Sequence, residues 1–264
     1  ADILDRERMT ALFEQVQPDV VMHLAAEIHV DRSIDGPAAF ISEPLLGNQG
    51  ALELPAGYLR GVYEDVRAAG GLCIADEVQV GMARTGATFW AFEHEGVVPD
   101  IVFTAKATGN GHPLGVVVCR REIADTFDGQ TAYFSSTGGG PVSCEIGLAV
   151  LDVLRDEGLQ ENARVIGEHL RTRLTELAQR HPLIGAVHGR GLYQGVDLVL
   201  DRETRTPARY EALAVSERLR HRGVIMQPTG DAFNVLKVKP PMCLDLAAAD
   251  HFVDALDTVL TEFV

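Results

Sequence analysis

Several things that would point to a function class are missing from this chain. No apolar run approaches the roughly 18 residues needed to cross a bilayer, and the first residues lack the basic and apolar regions of a secretory leader. Basic residues are scarce: 23 Lys+Arg stand against 38 Asp+Glu, a formal charge of −15, so the basic surface that nucleic-acid phosphates require is not expected. The four cysteines, Cys73, Cys119, Cys144 and Cys243, are far apart and form no CxxC pair, which argues against a zinc site or a disulfide framework. The histidines form no HExxH, and His29 near Asp31 reads as loop, so no metal site is expected. What remains is a chain 46% hydrophobic and 23% charged, the balance of a globular protein with a sizeable core, expected to be cytoplasmic and without a membrane or nucleic-acid partner.

Hydrophobic patterning gives an α/β chain. Residues 7–17 fit a short helix, and Pro18-Asp19 leads into the apolar run Val20 to Ala26, of strand length. Tyr58 to Ala69 reads as a helix closed by Gly70-Gly71, followed by the strand Leu72-Cys73-Ile74-Ala75 with Asp76-Glu77 at its carboxyl end. Strands are expected at 100–104 and 115–119. Pro141 suits the first turn of a helix through Leu154, and another helix is expected over 160–180. The remainder alternates strands at 191–200 and 234–238 with helices at 211–222 and 247–260, the pattern of a smaller α+β domain. Short buried strands joined by helices imply a mostly parallel sheet, whose ligands lie outside the strands' carboxyl ends.

That rule draws attention to Asp76 and to Lys106, which follows the strand at 100–104. An acid able to pair with a pyridinium nitrogen and a lysine able to form a Schiff base are the two parts needed to use pyridoxal 5'-phosphate as an electron sink. The surrounding words strengthen the reading. Ile74-Ala75-Asp76-Glu77-Val78-Gln79, then Lys106, then Gly138-Gly139-Gly140-Pro141-Val142-Ser143-Cys144 resemble, in that order, the class III pyridoxal-phosphate aminotransferases of fold type I. The resemblance runs from about residue 38 to 264. It implies a partial fold type I large domain over 42–155, a C-terminal α+β small domain over 156–264, and a homodimer with its sites at the subunit interface.

By this resemblance Asp76 binds the pyridine nitrogen, Val78 packs on the ring face, Gln79 lies near the ring hydroxyl and Lys106 carries the cofactor. A phosphate contact made across the dimer falls on Ser136, with the neighbouring Thr137 able to substitute. Glu43 matches a glutamate near the substrate side, or is a surface-turn acid. Lys237, in Val235-Leu236-Lys237-Val238-Lys239-Pro240-Pro241, stands where many members have Arg; it is a substrate contact or an ordinary ion-pair residue. The Lys version, with Gly109-Asn110-Gly111-His112-Pro113, is similar to the branch holding phospho-lyases of phosphorylated amino alcohols and alanine-glyoxylate-type aminotransferases. The substrates implied are an amine or amino acid and a keto acid, with phosphate elimination as the alternative reaction.

Residues 1–41 break the pattern. Gln17-Pro18-Asp19-Val20-Val21-Met22-His23-Leu24-Ala25-Ala26-Glu27 and the segment His29 to Ile41 resemble an internal fragment of the nucleotide-sugar 4,6-dehydratases, the dTDP-glucose type among them. Those enzymes hold NAD with a glycine-rich turn that is not found here, and no tyrosine has a lysine four residues later, so dehydratase chemistry has no support. The start at Ala, not Met, and the shared word Ala38-Ala39-Phe40-Ile41 lead us to expect a chimera. The Gly/Ser-rich loop that holds the cofactor phosphate in class III enzymes is not recognisable in residues 1–41, which predicts weak cofactor affinity, or a non-catalytic remnant.

Overall fold

The computed structural model describes residues 20–22, 39–130 and 132–263. The helix expected over 7–17, the end of the apolar run after Met22 and the stretch around His29 and Asp31 lie outside the described residues. The chain divides into two compact units. The first takes in Ala1–Pro44, Leu54–Gln79 and Phe92–Asp152, and the second Leu45–Glu53, Val80–Ala91 and Val153–Val264. The segments 45–53 and 80–91 thus belong with the C-terminal residues and not with their chain neighbours.

The first unit is built on a five-stranded sheet whose spatial order equals its chain order: β1 (Val20–Met22), β2 (Ala39–Ser42), β3 (Leu72–Asp76), β4 (Ile101–Thr104) and β5 (Val116–Cys119). β1 to β4 run parallel. β5 returns antiparallel on β4, because the link between them holds only a 3-10 turn and no crossover helix. Alternation along Leu72–Asp76 buries Cys73 and Ala75 on one face and leaves Leu72, Ile74 and Asp76 half-buried on the other. Phe40 stands in register with Cys73, and Ala75 with Val102, so one sheet face is continuously apolar.

Helix α1 (Tyr58–Ala68) covers that face with Leu59, Tyr63 and Val66, spaced four and three residues apart as one helical stripe requires. The Tyr63 ring meets Phe40 edge-on at 6.2 Å between centroids. Gly70, at φ 80°, lets the chain turn back, and the Gly70 and Gly71 N–H groups donate to the carbonyls of Arg67 and Val66. Two further helices follow the sheet. α2 (Arg121–Gln130) buries no residue, and α3 (Pro141–Asp156) buries only Gly147.

In the second unit the central strand β7 (Tyr193–Asp201) pairs antiparallel with β6 (Ile184–Arg190) and with β8 (Val235–Val238). Helices α4 (Leu159–Arg180), α5 (Arg209–Arg220) and α6 (Leu246–Thr261) pack on this sheet. Leu170, Leu174 and Leu177, Val196 and Leu198, and Val253, Leu256 and Leu260 form one apolar core. Asp245 caps α6 by accepting the Ala248 N–H at 2.7 Å. Leu45, Ala51, Val80 and Ala91 join Tyr193 in a second, smaller core, which explains why those two early segments belong to this unit. The strand expected over 191–200 is β7, while β6 is a separate strand before it. Among the described residues, no helix is long and apolar enough to cross a membrane.

Candidate active site

β3 and β4 are parallel neighbours, so Asp76, the last residue of β3, and Lys106, two residues beyond β4, emerge at the same carboxyl edge of the sheet. The ladder continues past Asp76, with the Glu77 N–H donating to the Phe103 carbonyl at 3.0 Å. Alternation then sends Asp76 and Glu77 to opposite faces. Glu77 is 1% exposed and its Oε1 accepts the Phe92 N–H at 2.9 Å, which anchors the 3-10 helix Ala91–Glu95. Asp76 is only half-buried and accepts the Val78 N–H on Oδ1 at 3.0 Å. Burial pushes the Asp76 carboxyl above the usual carboxylate range, although the Val78 N–H and the Lys106 charge pull the other way. The two residues singled out by the sequence therefore interact electrostatically across one strand edge.

Lys106 is exposed and takes φ 46°, a left-handed conformation uncommon for a side chain of this size. What holds it there lies beneath. The Thr104 and Thr108 hydroxyls are 3.1 Å apart, Thr104 Oγ1 donates to the Glu77 carbonyl at 3.5 Å, and Thr108 Oγ1 donates to the Ala105 carbonyl at 3.2 Å. Both threonines are buried. Sequence reading missed this pair; the signal was a hydroxyl on each side of Lys106 at i−2 and i+2. Asn110 and Gly111, at φ 44° and 103°, then turn the chain toward His112.

Val78 and Gln79 follow Asp76 at the strand end and are half-buried. Glu43 follows β2 and is 8% exposed, so it is not a surface-turn acid. Ser136 and Thr137 are exposed in the turn before α3, where Ser135, not either of them, accepts the Gly138 N–H at 2.9 Å. Lys237 lies in the second unit, on β8. Its Nζ stands 5.7 Å from the Tyr193 ring centroid, and that of Lys239 5.1 Å. In the same unit Arg84 donates from Nη1 to the carbonyls of Leu192 and Pro240, at 3.1 and 2.8 Å. Burial pushes the Arg84 guanidinium below its usual range. Among the described residues no group of three or more His, Cys, Asp or Glu side chains is placed to hold a metal ion.

A family model described as "Aminotransferase class-III" matches residues 6–260. The chain belongs to this family. It is 48% identical over 220 residues to an alanine–glyoxylate aminotransferase 2 homolog of Arabidopsis thaliana, covering 83% of this chain and 46% of that protein. It is 38% identical over 263 residues to an ethanolamine-phosphate phospho-lyase homolog of Caenorhabditis elegans, covering 98% and 56%. Among solved structures, a phospholyase from Arthrobacter in complex with phosphoethanolamine superposes with a TM-score of 0.82 at 40% identity, covering 84% of this chain and 53% of that one. The class III chain thus spans about half the length of the curated relatives it matches.

Proposed function

We propose that this class III chain carries the lysine-bearing part of a pyridoxal-phosphate-dependent aminotransferase that moves an amino group between an amine or amino acid and a keto acid. One observation carries the reading: Asp76 and Lys106 stand at the carboxyl ends of adjacent parallel strands and interact electrostatically. The residues fit the cofactor. A half-buried carboxylate whose pKa is raised by burial is stabilised by a cationic N–H donor, and a pyridinium nitrogen is one. When bound, pyridoxal phosphate supplies a protonated conjugated ring that withdraws electrons from the substrate carbon bearing the amine.

The chain's own residues do the rest. The Asp76 carboxylate keeps the proton on the ring nitrogen. Val78, beside it, would limit water at the cofactor, and Gln79 would donate a hydrogen bond to it. Lys106, on a turn braced by Thr104 and Thr108, would hold the cofactor through Nζ, and the same amine would take the substrate α-proton and return it. Ser136 or Thr137 contributes to the phosphate site of the partner subunit in a homodimer, and Glu43 lines the substrate side.

Relatives on the phospho-lyase side favour a second reading, in which the same deprotonated substrate expels phosphate. Inorganic phosphate release from phosphoethanolamine, set against alanine formed with pyruvate as acceptor, separates the two. For residues 1–41 we propose descent from a nucleotide-sugar dehydratase, joined at Ala38-Ala39-Phe40-Ile41. A visible absorption titration with pyridoxal phosphate, with Lys106→Ala as control, tests the whole reading.

A further inference from the structure

We propose that His112 and Ser143 form a brace that positions Lys106, an inference that rests on the proposed function of Lys106. His112 Nε2 lies 2.8 Å from Ser143 Oγ, a hydrogen bond between residues 31 positions apart. His112 closes the loop that begins at Lys106, its N–H donating to the Gly109 carbonyl at 2.9 Å. Ser143 sits in the first turn of α3.

Four residues further along α3, on the same helix face, Gly147 receives Leu114. A Cβ at Gly147 would stand 2.9 Å from Leu114 Cδ2, so the glycine lets the end of the Leu114 side chain lie close against the helix. Gly147 is the one buried residue of α3. His112 and Leu114 of the Lys106 loop thus both meet α3, at Ser143 and at Gly147.

The geometry has a direct consequence for Lys106. Its φ of 46° is sustained from below by Thr104 and Thr108, but Asn110 and Gly111 make the far side of the loop a pair of positive-φ positions. Such a turn drifts unless its end is fixed, and the His112–Ser143 hydrogen bond fixes it against a helix. The same helix is entered from the turn Ser135–Gly140, where the Gly138 N–H meets Ser135 Oγ and the Gly140 N–H meets the Thr137 carbonyl. One hydrogen bond thus ties together the lysine loop and the segment carrying Ser136 and Thr137. His112 and Ser143 act through Lys106 and are positioning residues.

The test uses the full chain with Ser143→Ala, His112→Ala, the double variant, and His112→Gln, whose amide nitrogen reaches the Nε2 position. Two quantities are read: the pyridoxal-phosphate dissociation constant from the Lys106-dependent absorbance, and amide hydrogen exchange over residues 106–111 without cofactor. The brace predicts that each single alanine variant weakens binding by about 3- to 10-fold, the range of one intramolecular hydrogen bond. It also predicts that the double variant is no weaker than the worse single one, that His112→Gln stays within about twofold of the parent, and that exchange over 106–111 is faster in all three alanine variants. Unchanged exchange overturns the brace whatever the affinity, and so do parent-like dissociation constants or losses that multiply in the double variant. Should the parent show no Lys106-dependent absorbance, the proposed function fails, and exchange alone then decides the brace. If His112→Ala loses its circular-dichroism signal, Ser143→Ala, which removes a single hydroxyl, is decisive.

Discussion

Asp100 and Cys73 bond each other twice: the Asp100 N–H donates to the Cys73 carbonyl and the Cys73 N–H donates to Asp100 Oδ2, both at 2.7 Å. The pair locks the start of β4, the strand that leads to Lys106, to the strand that ends in Asp76, so it fixes the register on which the site depends. Arg67 and Arg120 supply the charge that allows Asp100 to be 2% exposed. Asp100→Ala leaves the buried Cys73 amide without its acceptor and takes the shared carboxylate from Arg67 and Arg120, and is expected to cost about 3 kcal/mol of stability. Urea unfolding followed by circular dichroism checks this.

Asp76→Asn separates stability from chemistry. A carboxyl whose native pKa lies above its unfolded one lowers stability once the pH passes the ordinary carboxylate range, and increasingly so until the raised native value is passed. The asparagine variant, without cofactor, is therefore expected to be more stable than the parent at pH 7 and not at pH 3. Its amino-transfer rate is expected to fall by about 10²-fold or more, since the ring proton loses its holder. Thermal midpoints at the two pH values, with a transamination assay at pH 7, test both halves.

Helices α4 and α6 are joined by ion pairs that acid should open. Asp257 takes His181 Nε2 at 2.5 Å and Arg180 Nη1 at 2.8 Å. Burial alone would raise the Asp257 carboxyl, but those hydrogen bonds outweigh it and hold the group below its usual range. A carboxyl of this kind adds stability that is complete above the ordinary carboxylate range and is lost as the pH falls through the depressed native value. Asp257→Asn is expected to cost about 1 kcal/mol at pH 7, a modest figure because solvent screens a partly exposed pair. The variant should also lose less stability than the parent between pH 5 and 3, as denaturant midpoints would record.

Much of this architecture is legible in the sequence where local pattern dictates it. Leu72–Asp76 and Ile101–Thr104 are short apolar strands ending in polar residues, α4 buries Ile166, Leu170, Leu174 and Leu177 at helical spacing, and α6 buries Ala249, Val253, Leu256 and Leu260. The placement of Asp76 and Lys106 at one edge follows from parallel pairing. Other features depend on distant partners. β5 reads as a strand, but its antiparallel direction is set by a link too short to cross over. α2 carries Ile123 and Phe127 four residues apart on one face, yet it buries no residue, so its pattern does not tell what it packs on. Leu45, Ala51, Val80 and Ala91 leave their neighbours because Tyr193, more than a hundred residues later, gives them a core. His112 and Ser143 are ordinary residues until the fold brings them together.

The central claim is that Lys106, set beside Asp76, holds pyridoxal phosphate. The most direct measurement is the visible absorption spectrum of the purified chain with added pyridoxal phosphate, beside Lys106→Ala, followed by borohydride reduction and peptide mapping. The expected result is an absorption band that Lys106→Ala lacks, with the reduced cofactor mapped to the peptide containing Lys106. A folded chain with no such band, or label distributed over other lysines to the same extent in both proteins, would contradict it.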